Sequence, residues 1–291
     1  MTALGGILAM VASIALFATM DTIVKWLIGN GFSVWQIGFC RGAFSLPAVW
    51  WLVVRAGGLH TLKTRRPGLH LWRCLVGMGA MLLFFQALAG MPLADAVALG
   101  FSQPFVVTAL SVPFLGERVG RHRWAAIVVG FLGVLVILRP GVGVFNPSAL
   151  LVLGSVLCSA FAILAIRVLS RTESNAAIVL WFSITCTGVC GIAMIGTARW
   201  PETALQAALL VAVGILGGFG QFFMTVAYRL APIATVAPFQ YVALPFAILY
   251  GWLIWSSWPD VWVGVGTVII VASGLYILAR EARRTQRTPS H

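Results

Sequence analysis

Residues 4–27 read LGGILAMVASIALFATMDTIVKWL, a stretch in which only Asp21 and Lys25 carry charge. The hydrocarbon core of a bilayer is about 30 Å thick and takes roughly 20 apolar residues per helix. This run is long enough to cross it. No basic residue precedes it, so it is expected to stay as a membrane helix rather than leave as a signal peptide.

The rest of the chain repeats that composition. Of 291 residues, 60% are hydrophobic and 9% charged, and the mean hydropathy is +1.00. Soluble domains carry about 25% charged residues, so one soluble core has no room for this much apolar surface. Further apolar runs fall at 34–54, 72–91, 95–115, 124–139, 147–166, 176–197, 204–228, 232–255 and 260–279. Between them stand helix-ending residues such as Gly29-Asn30-Gly31, Met91-Pro92, Pro140-Gly141, Asn146-Pro147, Pro201, Pro232 and Pro259. Proline and glycine there interrupt the backbone ladder. The expectation is an all-α membrane protein of ten transmembrane helices.

The net charge of +12 would suggest nucleic acid in a soluble chain. Here the basic residues lie between and after apolar runs. Most of the 19 Lys and Arg, from Arg55 and Lys63 through Arg73, Arg121 and Arg167 to Arg284, fall on alternating loops and the tail. Lys25, Arg139 and Arg199 fall on the opposite set, and Arg41 within a span. Positively charged loops stay in the cytoplasm. That rule puts both termini inside and predicts no nucleic-acid partner. Trp35, Trp200, Trp255 and Trp258 then mark the outer interface, and Trp72 and Trp124 the inner one.

The halves resemble each other. Pro104-Phe105 corresponds to Pro245-Phe246, Gly133 to Gly274, Arg139 to Arg280, and Pro92 and Ala94 to Pro232 and Ala234. Five helices per half is an odd number, so the second half enters from the opposite side. Inverted repeats of this kind recur in secondary transporters. We expect a first repeat over 1–141, a second over 147–280 and a basic cytoplasmic tail over 281–291.

Pro92-Leu-Ala-Asp-Ala-Val-Ala-Leu, Gln103-Pro104-Phe105, Leu115-Gly116-Glu117-Arg118 and Trp124 with Gly130 and Gly133 resemble the EamA-type module of the drug/metabolite transporter superfamily. Ala231-Pro232, Pro238, Pro245, Gly251-Trp252 and Gly274 resemble its second copy, which departs at Ser257-Trp258. The resemblance implies a ten-helix bundle of two inverted halves around a central cavity. Members of that superfamily move amino acids, S-adenosylmethionine, riboflavin and amino-acid-derived metallophores, some inward and some outward. Glu117 occupies the place of the module's Gly-Glu motif and reads as a loop anchor.

Ionisable side chains within a span are costly, so they are functional candidates by default. Asp21, Lys25 and Arg41 are the ones clearly inside. Asp21 and Lys25 are four residues apart on one helix and able to pair. At a shift that aligns Phe17-Ala18 with Phe161-Ala162, none of the three has a charged counterpart. A site facing the cavity with these residues would suit a substrate bearing carboxylates, and Asp21 would be a candidate proton acceptor. The alternative is an Asp21–Lys25 pair that closes the helix end. Gln86, Gln103, Tyr228, Gln240 and Tyr241 complete the candidate substrate-binding set. Gln103 and Gln240 occupy corresponding helices near Pro104 and Pro238, where a missing donor frees a carbonyl.

Enzymatic motifs are lacking. No H-E-x-x-H occurs, and His60, His70, His122 and His291 read as loop or tail residues. No Walker or Rossmann glycine motif is present, so ATP drive is not expected. The five cysteines show no C-x-x-C spacing; no metal or cofactor is expected. The expectation is a multi-pass carrier of the bacterial inner membrane, with the lipid bilayer and a small-molecule substrate as partners. A homodimer is left open. Export of an amino-acid-like metabolite, a metallophore among the options, comes first, and uptake of S-adenosylmethionine, riboflavin or a similar metabolite second. A lipid-linked flippase or a membrane enzyme is the alternative of another class.

Overall fold

In a computed structural model the described residues are 3–55, 58, 64, 66–116, 119–139, 146–170, 172–231 and 236–287. Within them, the side chains at 3, 48, 52, 55, 123, 175, 176, 228, 229, 237, 278 and 280–287 are outside the description. Glu117, Arg118, Pro140, Gly141, Pro232 and Ala234, singled out in the sequence, lie outside the described residues.

The chain forms helices α1 (Ala3–Gly29), α2 (Val34–Arg55), α3 (Pro67–Gly90), α4 (Leu93–Gly100), α5 (Gln103–Leu115), α6 (Arg121–Leu138), α7 (Ser148–Leu169), α8 (Asn175–Ala193), α9 (Ala204–Leu230), a 3-10 segment (Ala237–Val242), α10 (Ala243–Trp255) and α11 (Val261–Arg287). No strand occurs among the described residues. Among the described residues, six stretches are long and apolar enough to cross a membrane: Leu4–Gly29, Pro67–Gly90, Leu93–Leu115, Ser148–Leu169, Ala204–Ala227 and Pro238–Trp255. Trp124–Leu138, Ala177–Ala193 and Val261–Ile277 are shorter apolar helices. Large apolar side chains such as Trp50, Phe114, Leu132, Ile184 and Val268 point outward. An outer apolar surface of this kind is what a bilayer solvates.

Helix ends follow local chemistry. Pro67 opens α3, where its missing donor is harmless. The side chains of Ser174 and Thr203 accept from the backbone N–H groups of Ala177 and Gln206. Gly116 closes α5 at φ 68°, a left-handed conformation that glycine adopts without strain.

The 95–115 run, expected as one continuous helix, is divided. Pro104 has no N–H to bond back toward Gly100, so α4 ends there and α5 begins after two intervening residues. Ser102 N–H bonds to Leu99 O at 3.0 Å and its hydroxyl to the same carbonyl at 2.7 Å. Pro238 has the same effect in the other half, where a 3-10 segment precedes α10.

The main packing partners are α1 with α9, α3 with α7, α2 with α8 and α9, and α6 with α11. First helix packs on third across the halves, second on second and fifth on fifth. Exchanging the halves leaves these pairings unchanged, while the extensive α2–α9 contact has only a smaller counterpart between α3 and α8. Two hydrogen bonds make the correspondence specific. Ser13 Oγ donates to Gly220 O at 2.7 Å between α1 and α9. Ser155 Oγ donates to Ala80 O at 2.6 Å between α7 and α3. The contact of Gly6 with Ala231 matches that of Ser148 with Gly90. In this register Asp21 falls on Ile163 and Lys25 on Arg167. The alignment of Phe17 with Phe161 is therefore off by two residues, and only Asp21 of that pair lacks a charged counterpart.

Close backbone approach holds α6 to α11. A Cβ on Gly133 would lie 2.9 Å from Gly266 O, and one on Gly266 would lie 2.6 Å from Gly133 O. Small residues allow such contacts, which carry helix association where lipid removes the hydrophobic drive. Phe105, fully buried, packs its ring onto Gly130.

Candidate functional site

A cavity of about 250 Å³ opens between α1, α4, α5, α9, the 3-10 segment and α10. Most of its wall is apolar, including Met10, Phe17, Val97 and Met224. Four side chains supply polarity: Ser13 and Asp21 from α1, Gln103 from α5 and Gln240 from the 3-10 segment. The two broken helices explain the glutamines. Each break places a Gln within two residues of a proline at the cavity edge, one from each half. Gln103 Nε2 donates to Ser159 Oγ on α7, which orients its amide.

Of the candidate residues, the fold thus gathers Asp21, Gln103 and Gln240. Lys25 goes elsewhere. Its ammonium donates to Leu88 O and Met91 O, each at 2.7 Å, and lies 5.4 Å from the Trp255 ring centroid. It satisfies terminal carbonyls of α3 and sits at the negative end of that helix's dipole. The Asp21–Lys25 pair, the alternative that spacing allowed, does not form. The charge that acts on Asp21 is that of Arg41.

Arg41 is enclosed at the α2–α9 contact, against Gly217, and its Nε meets no acceptor. Gln86 is exposed on α3 and does not line the cavity. Tyr241 turns away from it, edge-on to Phe101 with centroids 5.0 Å apart and its hydroxyl against Gly274. The side chain of Tyr228 lies outside the described residues.

Sequence reasoning missed three features. Met10, Ser13, Phe17 and Asp21 recur at three- and four-residue intervals, a single helix face that spacing alone would have revealed. Ser159 carried no signal. Arg73 and His70 were read as loop residues, yet both lie in α3. His70 is buried, with Nε2 3.8 Å from Glu173 Oε2.

Outside the cavity, the guanidinium of Arg139, after α6, pairs with Asp260, before α11. Asp260 also accepts from Trp262 N–H at 3.4 Å. The hydrogen bond from Arg139 holds the Asp260 carboxyl below the usual aspartate value.

Residues 4–139 and 146–279 each match the EamA-like transporter family. The chain belongs to that family: it is a transporter of small molecules, not an enzyme, and a multi-pass protein of the bacterial inner membrane. It is 31% identical over 97% of its length to a riboflavin transporter of Rhizobium johnstonii, covering 93% of that protein. It is 33% identical over 92% to the pseudopaline exporter of Pseudomonas aeruginosa, covering 94% of it. An S-adenosylmethionine uptake transporter of Rickettsia conorii is 28% identical over 98% of this chain and 96% of its own. A solved crystal structure, 17% identical, matches the fold with a TM-score of 0.62 over 97% of this chain and 99% of its own.

Proposed function

We propose that the chain is an ATP-independent carrier that moves a small, polar, amino-acid-like metabolite out of the cell, with a metallophore among the options. Its ten spans form two inverted halves, residues 1–141 and 147–280. Both termini and the 281–291 tail face the cytoplasm, and the halves rock about the cavity to expose it alternately.

One observation carries this reading. Asp21 from the first helix, Gln103 from the first half's broken helix and Gln240 from the second half's broken helix line a single cavity. A site shared between repeats is what alternating access requires. Asp21 offers an acceptor for a substrate amine, and the amides orient neutral polar groups. The likeness to a pseudopaline exporter supports export. The likeness to riboflavin and S-adenosylmethionine transporters supports a second reading, uptake of a ring-bearing metabolite against the apolar wall formed by Phe17 and Met224.

Comparative metabolomics of a deletion strain, cells against medium, tests direction. A compound that accumulates inside the deletion strain and falls in the medium is the exported substrate. Depletion inside the cells instead selects the uptake reading. Counterflow of that compound in proteoliposomes, abolished by Asp21→Asn, then ties it to the cavity.

A further inference from the structure

Two half-buried arginines carry individual donors that are buried in the bundle and meet no acceptor: Nε of Arg41 on α2, and Nε and Nη1 of Arg73 on α3. A guanidinium carries five N–H donors and keeps its proton in proteins. Burying some of those donors without acceptors is unfavourable, so they favour an anion beside them. Arg73 has only weak substitutes, the thiol of its neighbour Cys74 and an aromatic ring. Its Cζ lies 4.4 Å from the ring centroid of Phe182 on α8, and a cation–π contact offsets part of one charge.

A single turn of α8 brings the two arginines together. Phe182 packs against Gly77 of α3, near Arg73. Its neighbour Ser183 packs against α2, where a Cβ on Gly42 would lie 3.2 Å from Ser183 O and Ser45 Oγ donates to Ser183 Oγ at 3.3 Å. Gly42 adjoins Arg41. The like charges of Arg41 and Arg73 oppose each other. Besides the thiols of Cys186 and Cys74, Asp21 is the one carboxyl that acts on Arg41, and none acts on Arg73. Positive charge is therefore in excess at this point.

We propose that Arg41 and Arg73 form an oxyanion subsite between α2, α3 and α8 that accepts one carboxylate or phosphate group. The planar fork of arginine matches two oxygens of either group. The subsite adjoins the cavity: Met20, next to Asp21, and Arg41 both rest on Gly217. Taken with the cavity reading above, on which this consequence rests, an amino-acid-like substrate would place its amine at Asp21 and its carboxylate at Arg41 and Arg73. A phospholipid headgroup is the other source of the same chemistry.

The test uses purified full-length protein. Thermal unfolding is followed with citrate or inorganic phosphate against chloride at matched ionic strength, and native mass spectrometry reads retained phospholipid. The oxyanions should raise the midpoint where chloride does not. Arg73→Gln should raise the half-saturating concentration about tenfold or more, the size expected for a lost charge-assisted bond. Arg73→Lys, which keeps charge but not the fork, should fall between; it and Arg41→Gln carry the test if Arg73→Gln does not fold. Phospholipid retained by the wild type and lost in the arginine variants also supports the subsite and assigns it to a headgroup. No oxyanion response and no retained phospholipid in the wild type overturns the proposal, as do equal responses and equal lipid retention in the wild type and both variants. Asp21→Asn should lose transport yet keep the oxyanion response. Loss of transport in Asp21→Asn, with no oxyanion response or retained lipid in the wild type, removes the subsite and leaves the cavity reading standing.

Discussion

Lys25 donates to the carbonyl of Leu88 at 2.7 Å, and again to that of Met91, so it ties α1 to the end of α3. Asp21, one turn earlier on α1, lines the cavity instead. Two charges that spacing would pair are divided by the fold between scaffold and site.

Replacing Lys25 by Met should therefore act on stability. Two bonds from a charged donor are lost, at about 1–3 kcal/mol in total. Thermal unfolding of the purified protein should show the loss, with the KM for substrate unchanged. A raised KM at normal stability would place Lys25 in the site after all.

Cavity substitutions should do the opposite. Asp21→Asn, Gln103→Ala and Gln240→Ala should each lower transport, Asp21→Asn by about tenfold or more, because a charged partner contributes more than a neutral one. Expression and thermal midpoint of Asp21→Asn should stay near those of the wild type. Normal flux in all three variants would exclude this cavity as the binding site.

The α6–α11 contact makes a steric prediction. Gly266→Val puts side-chain atoms where Gly133 O already sits, 2.6 Å from the new Cβ. Overpacking of this kind costs about 1–3 kcal/mol. Gly188→Ala on α8 meets nothing within 4 Å and should be neutral or slightly stabilising, since alanine is the better helix former. The difference between the two variants in a denaturation series is the measurement.

Acid should weaken the Arg139–Asp260 clasp. The Asp260 carboxyl titrates lower in the folded protein than its ordinary value of 3.8. A depressed folded value favours folding above the unfolded value, and the benefit is lost as pH falls through the folded value. The midpoint difference between wild type and Asp260→Asn should be constant from neutral pH down to about 4 and shrink below it. A difference that persists unchanged at pH 2 would mean the carboxylate charge contributes nothing.

Much of the fold could be read directly. Apolar runs located the helices, and Pro104 and Pro238 marked where a missing N–H frees a carbonyl, although the 95–115 run, expected as one helix, is divided in the structure. Gln103 and Gln240 were linked for the same reason. Register between halves was harder. Phe17 and Phe161 look alike, yet the hydrogen bonds of Ser13 and Ser155 set the correspondence two residues away. On a helix, two residues amount to more than half a turn, which moves a side chain to the opposite face.

By itself the sequence determined that this chain lives in a bilayer, because its apolar surface has no other solvent, and that its polar residues are few enough to matter. Only the tertiary structure decided which of them meet. Asp21 and Lys25 share one helix, but neighbours remote in sequence choose their partners. Leu88 and Met91 claim Lys25, while Gln103 and Gln240 join Asp21. Arg73, in a sequence position that reads as a basic loop, is carried into the bundle because α3 starts at Pro67. A helix's composition sets its solvent; its rotation and depth are set by packing against distant segments, and those decide the site.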